Sequence, residues 1–354
     1  MPSVRRQTRR GPTIIDVARS AGVSVSTVSR VVRDHPDVNA DTRARVQSAI
    51  SSLGYRPSPI ARALVSGETR LIALLVSDIT NPFYPQLAKS VEQEAKRGGY
   101  TVVICNTADR TAETRRYLDR LIRQGLDGVI HASVARDEGT VLALMNEARR
   151  VVFTNRRPVG DSVSYVVSDN HGGAEELTQH LLRQGHRRIG FVAGPAYARN
   201  ATERLDGFLE VMEKTSGAEP MVASGDFSAD AGARAVDEWM RRGPRPTAII
   251  ATNDSVALGT LEALAERQLR VPADVALAGF DGVRLAASPI FDLTTVDQHI
   301  EQMGRRAVRV LLRQFGGPSN GAPIREVLPP RLLLRSSTEG GSKRGATMRA
   351  ASGH

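Results

Sequence analysis

Residues 13–32 read TIIDVARSAGVSVSTVSRVV, and their punctuation decides the N-terminal fold. Thr13 and Asp16 stand at the spacing of a capping box, with Asp in place of the usual Glu or Gln. Val17, Ala18 and Ala21 continue one apolar face, and Gly22 stops the helix. Ser24 can cap a second helix, in which Val28, Val31 and Val32 recur at i, i+3 and i+4. A third helix is expected from about Asp41 to Leu53, with Val46, Ile50 and Leu53 turned inward and Gly54 as its stop. Two short helices joined by a tight turn, with a third behind them, form a helix-turn-helix. Burying the three valines leaves Val25, Ser26, Ser29 and Arg30 on the open side. Small side chains let a helix settle into a major groove, and an arginine at position 30 reaches the O6/N7 pair of guanine. Ser24, Thr27 and Ser29 suit phosphate oxygens, which position the helix without reading sequence. Three packed helices with a solvated serine face would satisfy the same pattern.

Charge favours the nucleic-acid reading. The 354 residues carry a formal +10, concentrated at the ends of the chain. Residues 1–66 hold eleven arginines and no lysine against four acids, while the long middle is neutral. A neutral body with a basic N-terminal module points to a polyanion partner. Residues 1–12 read as a flexible basic arm and 338–354 as a disordered Gly/Ser-rich tail. With one cysteine, Cys105, no intrachain disulfide can form, which suits a reducing cytoplasm. No apolar run is long enough to span a membrane, and no secretory signal follows the first arginines.

Residues 13–32, followed by NADTRARVQSAISSLGYRPSPIARAL over 39–64, resemble the DNA-binding headpiece of the lactose-repressor (LacI/GalR) family of bacterial transcription regulators. The resemblance implies that Val25 and Ser26 are the chief specificity positions and that Arg30 is a third base-reading one. Arg33 and Ser58 depart from the family, which usually has Asn at both. On its residues alone, 57–69 is a hinge or linker held extended by Pro57 and Pro59. By resemblance it becomes a hinge helix that orders when two subunits meet on DNA, with Leu64 as the wedge entering the minor groove. An isolated helix so short is marginal in water.

From Leu71 the pattern changes to short β-branched runs alternating with amphipathic ones. The strands expected are LIALLV, TVVICN, DGVIHA, VVFTN, YVVS, RRIGFVA, TAIIAT and DVALAG. Between them lie helical stretches at Pro85–Gly98, Thr111–Gln124, Gly172–Gln184, Thr202–Lys214, Ala229–Arg241 and Ser255–Gln268. That alternation predicts parallel sheets covered on both faces. There are too many units for one small sheet, so two parallel-sheet α/β subdomains are expected over 70–337, with crossovers near 169 and 294. Together with the all-α headpiece at 13–56, this looks like the periplasmic-binding-protein-like body of the same regulators. The resemblance spans essentially all of 13–337.

Catalysis has no positive support. There is no Walker loop, no GxSxG elbow and no HExxH. The seven histidines are scattered, so neither a zinc cluster nor any cofactor is expected. Ligand binding is better served, because open α/β sheets take ligands beyond the carboxyl ends of their strands. There the chain offers Phe83 and Tyr84, Asn155, Arg204, Phe227, Asn253, Asp281 and Gln298. Planar amide, guanidinium and carboxylate groups grip vicinal hydroxyls in pairs, and aromatic faces cover a sugar ring. The resemblance places Asn155, Arg204, Phe227, Asn253, Asp281 and Gln298 in the effector pocket, with Asn155 where many members have Asp. Asn253 and Asp281 would equally serve as turn caps. Asp254 is expected to cap the helix at Ser255, Trp239 to pack, and His186 to be structural.

These readings converge on a cytoplasmic, non-enzymatic transcription regulator, a repressor whose hold on a pseudo-palindromic operator is set by a small carbohydrate effector. A solute-binding transport protein would share the body but not the headpiece. A sugar-metabolising enzyme would need a catalytic constellation. No leucine-heptad tail follows residue 337, so a homodimer is expected rather than a tetramer.

Overall fold

A computed structural model describes residues 12–32, 34–55, 69–133, 150–158, 163–316 and 322–339. The chain divides into two units, Met1–Thr69 and Arg70–His354.

The first unit holds α1 (Ile14–Ala21), α2 (Val25–Val32) and α3 (Ala40–Leu53). Thr13 and Asp16 complete the reciprocal capping box, and Gly22 closes α1 at φ +63°, a left-handed conformation that costs glycine nothing. Asn39 caps α3, its side chain accepting from the Thr42 N–H at 2.8 Å. Val17, Val28 and Val46 are wholly buried at the centre of this small core. Leu53 departs from expectation and is 38% exposed. Beyond Gly54 the chain folds back so that the Tyr55 N–H donates to the Ile50 carbonyl, and the Tyr55 ring takes the inward place. The hinge at 57–68, with Leu64, and the departures at Arg33 and Ser58 lie outside the described residues.

The second unit is built on two six-stranded sheets. The first contains β1 (Leu71–Val76), β2 (Thr101–Asn106), β3 (Gly128–His131), β4 (Val151–Thr154), β5 (Ser164–Ser168) and β11 (Arg325–Leu328), in the order β11-β5-β4-β3-β1-β2. The second contains β6 (Arg188–Val192), β7 (Glu219–Ala223), β8 (Ala248–Ala251), β9 (Ala276–Asp281), β10 (Thr294–Asp297) and β12 (Arg331–Leu333), in the order β12-β10-β9-β8-β6-β7. Every pairing is parallel except that β12 runs antiparallel to β10. The first sheet is covered by α4 (Phe83–Arg97), α5 (Thr111–Arg123) and α10 (Ile300–Gly316). The second is covered by α6 (Asn170–Arg183), α7 (Arg199–Glu213), α8 (Ala229–Arg242) and α9 (Asp254–Glu266). Helices pair as α4 with α10, α6 with α7, and α8 with α9.

The chain passes between the sheets three times. It leaves the first after Ser168 and enters α6, capped by Asp169. It returns after Asp297, where α10 packs on α4 and on β3, β4 and β5. It passes again between Leu328 and Arg331. The second passage follows β10, just past Asp297 and beside the crossover expected near 294, and the third has no counterpart in the sequence reading. Nor does a tail begin at 338. Thr338 is 1% exposed and bonded to His180 at 3.0 Å and Thr294 at 2.7 Å, so ordered body extends at least to Glu339. Trp239 and His186 are structural as expected: Trp239 packs in the core, and His186 bonds Thr247.

Candidate functional site

In the headpiece, α2 presents the side chains read from the sequence. Val28 and Val31 are buried and Val32 half-buried, which leaves Val25, Ser26 and Arg30 exposed and Thr27 and Ser29 half-buried. Val25 is 43% exposed, an apolar contact offered to solvent at the start of the helix. The Ser24 oxygen accepts the Thr27 N–H at 3.1 Å and lies 2.7 Å from the Ser26 and 2.8 Å from the Thr27 hydroxyls. Ser24 therefore spends its oxygen on capping α2 and on ordering the two hydroxyls beside it.

In the body, strand ends of both sheets meet in a chamber. From the first subdomain come Asn81, Phe83, Tyr84 and Asn155; from the second come Asn200, Arg204, Phe227, Asn253 and Asp281. Six of the seven residues expected at an effector pocket are thus brought together. Gln298, the seventh, stands behind the wall, fully buried, and donates from Nε2 to Asp281 Oδ1 at 2.5 Å. Its own Oε1 is buried without a hydrogen-bond partner.

Arg204 is the centre of the arrangement, 2% exposed and reached from α7. Its Nε donates to Asn170 at 2.9 Å and its Nη1 to the Thr252 carbonyl at 2.6 Å. The guanidinium lies 4.0 Å from the Phe280 ring centroid and 3.6 Å from Asp281. Burial lowers the pKa of Arg204, opposed by Asp281 and Asp254. Burial pushes Asp281 up to about 7, against the pull of Arg204 and the Gln298 hydrogen bond. Asp254 is pushed up to about 8, by burial first and then by the charge of Asp281.

Asp254 is not the helix cap. Asn253 caps α9, its Oδ1 accepting the Val256 N–H at 2.8 Å, while its Nδ2 donates to the Phe227 carbonyl at 3.3 Å. Asp254 turns inward, accepting from Thr295 at 2.6 Å and from the Val283 N–H at 2.9 Å. It braces β9, which carries Asp281 as its last residue. Asn155 and Asp281 both have positive φ, +68° and +135°. Strained backbone at two wall positions is the mark of a site that must aim its side chains.

Asn81, Tyr84 and Asn200 also line the chamber. Tyr84 was read only as an apolar wall, and burial raises its phenol pKa. Asn200 precedes Arg204 by four residues on one helix face, a spacing that would have found it. The chamber holds about 20 Å³, room for about one water molecule, and is open on one side. Past Asn81 and Phe227, which line both, a cavity of about 280 Å³ continues toward Leu258 and Phe291.

Residues 13–58 match the family described as "Bacterial regulatory proteins, lacI family", and residues 178–338 match "Periplasmic binding protein-like domain". The chain is 36% identical over 335 residues to the ribose operon repressor of Halalkalibacterium halodurans, covering 93% of this chain and 98% of that one. This chain belongs to the LacI family. Two solved members support the assignment along the whole length. A complex of the regulator CelR with cellobiose is 35% identical, with a TM-score of 0.70, covering 92% of this chain and 99% of that one. The lac repressor dimer bound to operator and the anti-inducer ONPF is 27% identical, with a TM-score of 0.81, covering 93% and 99%. The LacI-family headpiece and the two-subdomain body expected from the sequence are therefore present in one chain. The family consists of DNA-binding regulators, not enzymes. Among the described residues, no helix is long and apolar enough to cross a membrane.

Proposed function

We propose that this LacI-family chain is a cytoplasmic, dimeric repressor whose grip on a pseudo-palindromic operator is set by an uncharged sugar bound in the chamber. The observation that carries the effector class is the convergence of Phe83, Asn155, Arg204, Phe227, Asn253 and Asp281 on one space between the subdomains. Arg204 and Asp281 offset each other's charge there, and the four asparagines add donors and acceptors without charge. Such a wall holds hydroxyls in pairs, with Phe83 and Phe227 as apolar faces, and favours no ionic substituent. The printed names of similar proteins agree in class: cellobiose in the CelR complex, and the ribose operon for the Halalkalibacterium repressor.

On the DNA side, two copies of α2 enter successive major grooves about 34 Å apart, one per half-site. Val25 and Ser26 set the preference at the first bases, Arg30 reads a guanine, Thr27 and Ser29 lie toward phosphates, and Ser24, expected there too, holds the helix start that aims them. Leu64 of the hinge is the minor-groove wedge between the half-sites. A sugar seated among residues of both subdomains biases how the two sit together, and that bias is what the ligand exchanges for a change in DNA affinity. The coupling is reciprocal, so operator changes sugar affinity by the same factor.

The test is fluorescence anisotropy on an operator duplex with a panel of neutral sugars that includes ribose and cellobiose. One sugar is expected to change operator affinity by about 5- to 150-fold. In Asp281→Ala that response disappears while operator affinity without sugar is kept. A response that survives in Asp281→Ala removes this chamber as the effector site.

A further inference from the structure

On the second subdomain, His171, Glu175 and Glu210 converge from two helices. His171 and Glu175 stand at i and i+4 in the first turns of α6, and Glu210 lies in the last turn of α7. His171 Nε2 is 3.1 Å from Glu210 Oε1, and Nδ1 is 3.7 Å from Glu175 Oε2. One ligand atom from each of the three lies within 4.8 Å of the other two. Two packed helices hold that geometry. A Cβ at Gly207 of α7 would sit 2.4 Å from the His171 carbonyl oxygen, so only glycine allows the helices to come this close.

We propose that His171, Glu175 and Glu210 form a binding site for a divalent cation of the zinc class, which ties the first turn of α6 to α7. Metal–ligand bonds of about 2.1 Å give ligand separations of about 3.4 Å in a tetrahedral site. The His171–Glu210 pair is already inside that distance; the ion would take the Nε2 lone pair, and Glu175, which faces Nδ1 here, would have to turn to the same side. The three side chains are 36%, 34% and 49% exposed, which leaves the fourth position to water and the approach open. Lys214 stands 3.5 Å from the other Glu210 oxygen, so three ligands and one ammonium leave a local net charge that a cation offsets. Imidazole with carboxylates selects Zn²⁺ over Mg²⁺, which prefers an all-oxygen shell.

The site is one residue from the effector chamber. Asn170, which precedes His171, accepts the Arg204 Nε and donates to Glu203 at 3.2 Å. A cation bound at His171 therefore holds the helix end that positions Arg204. No spacing rule in the sequence reveals the trio, because Glu210 arrives from a separate helix 35 residues beyond Glu175.

The experiment is isothermal titration of the full chain with ZnCl₂ in chelator-stripped buffer near pH 7.5. One Zn²⁺ per chain is expected, with no comparable heat from MgCl₂. His171→Ala and Glu210→Gln are each expected to weaken Zn²⁺ binding by about tenfold or more. Both variants should keep the wild-type unfolding midpoint in chelator, which separates ligand loss from misfolding. Absence of Zn²⁺ binding, or unchanged Zn²⁺ affinity in both variants, overturns the proposal.

Discussion

His131 shows what a single buried side chain imposes on this body. It ends β3 inside the first subdomain, wholly buried, with its ring 5.1 Å from that of Phe153. Burial, with the Arg156 charge second, pushes its pKa down to about 3. The unfolded chain takes up a proton near pH 6.5 that the folded chain refuses, so stability falls as pH drops from about 6.5 toward 3. At pH 5 the loss relative to pH 8 is about 2 kcal/mol. Urea unfolding of the wild type and His131→Leu at both pH values measures it, and the variant should lack that increment. Equal losses in both proteins remove His131 as the source. Single residues are also where the sequence was partly silent. Asp281 and Asn253 were readable as strand-end polar groups, but their reading as caps stayed open until Asn253 proved to be both cap and wall. Gln298 was placed in the right neighbourhood and one layer too far forward, because spacing says nothing about which of two buried groups faces the cavity.

At the scale of elements, α2, to which the proposed function gives the DNA reading, was legible nearly in full. The stop of α1 at Gly22 and the start of α2 at Ser24 are local chemistry that needs no partner, and the valine spacing of α2 fixes which face is buried. Arg30→Ala is expected to cost about 1–3 kcal/mol of specific operator binding, measured against a duplex with that half-site base changed. Its effect on non-specific DNA should amount to one phosphate contact or less. Equal losses on both duplexes would assign Arg30 to the backbone. Four strands lie outside the eight expected, β7, β10, β11 and β12, and β10 was missed although its Thr294, Thr295 and Val296 are β-branched and buried. β7 is an edge strand that includes Pro220 and is exposed at most positions, and β12 is three residues long. Helix α10 is different: Ile300, Met303, Ala307 and Leu311 repeat at helical spacing and are buried, so its signal was present and unused.

The whole molecule couples a headpiece of about forty ordered residues to a body whose chain passes three times between subdomains. A first passage near 169 was readable from the sequence, and it runs through Asp169. The third was not, because β11 and β12 are short edge strands whose partners lie far away in sequence. The three passages place residues of both sheets around one chamber. On the proposed function, this chain acts as a dimer that reads a palindrome. Selection of bound duplexes from a random pool, at one stated moderate salt concentration, tests it most directly. The expected result is an inverted repeat with half-site centres about one helical turn apart and a flexible pyrimidine–purine step between them. A pool that shows no sequence preference, or an enriched site without two-fold symmetry, would contradict it.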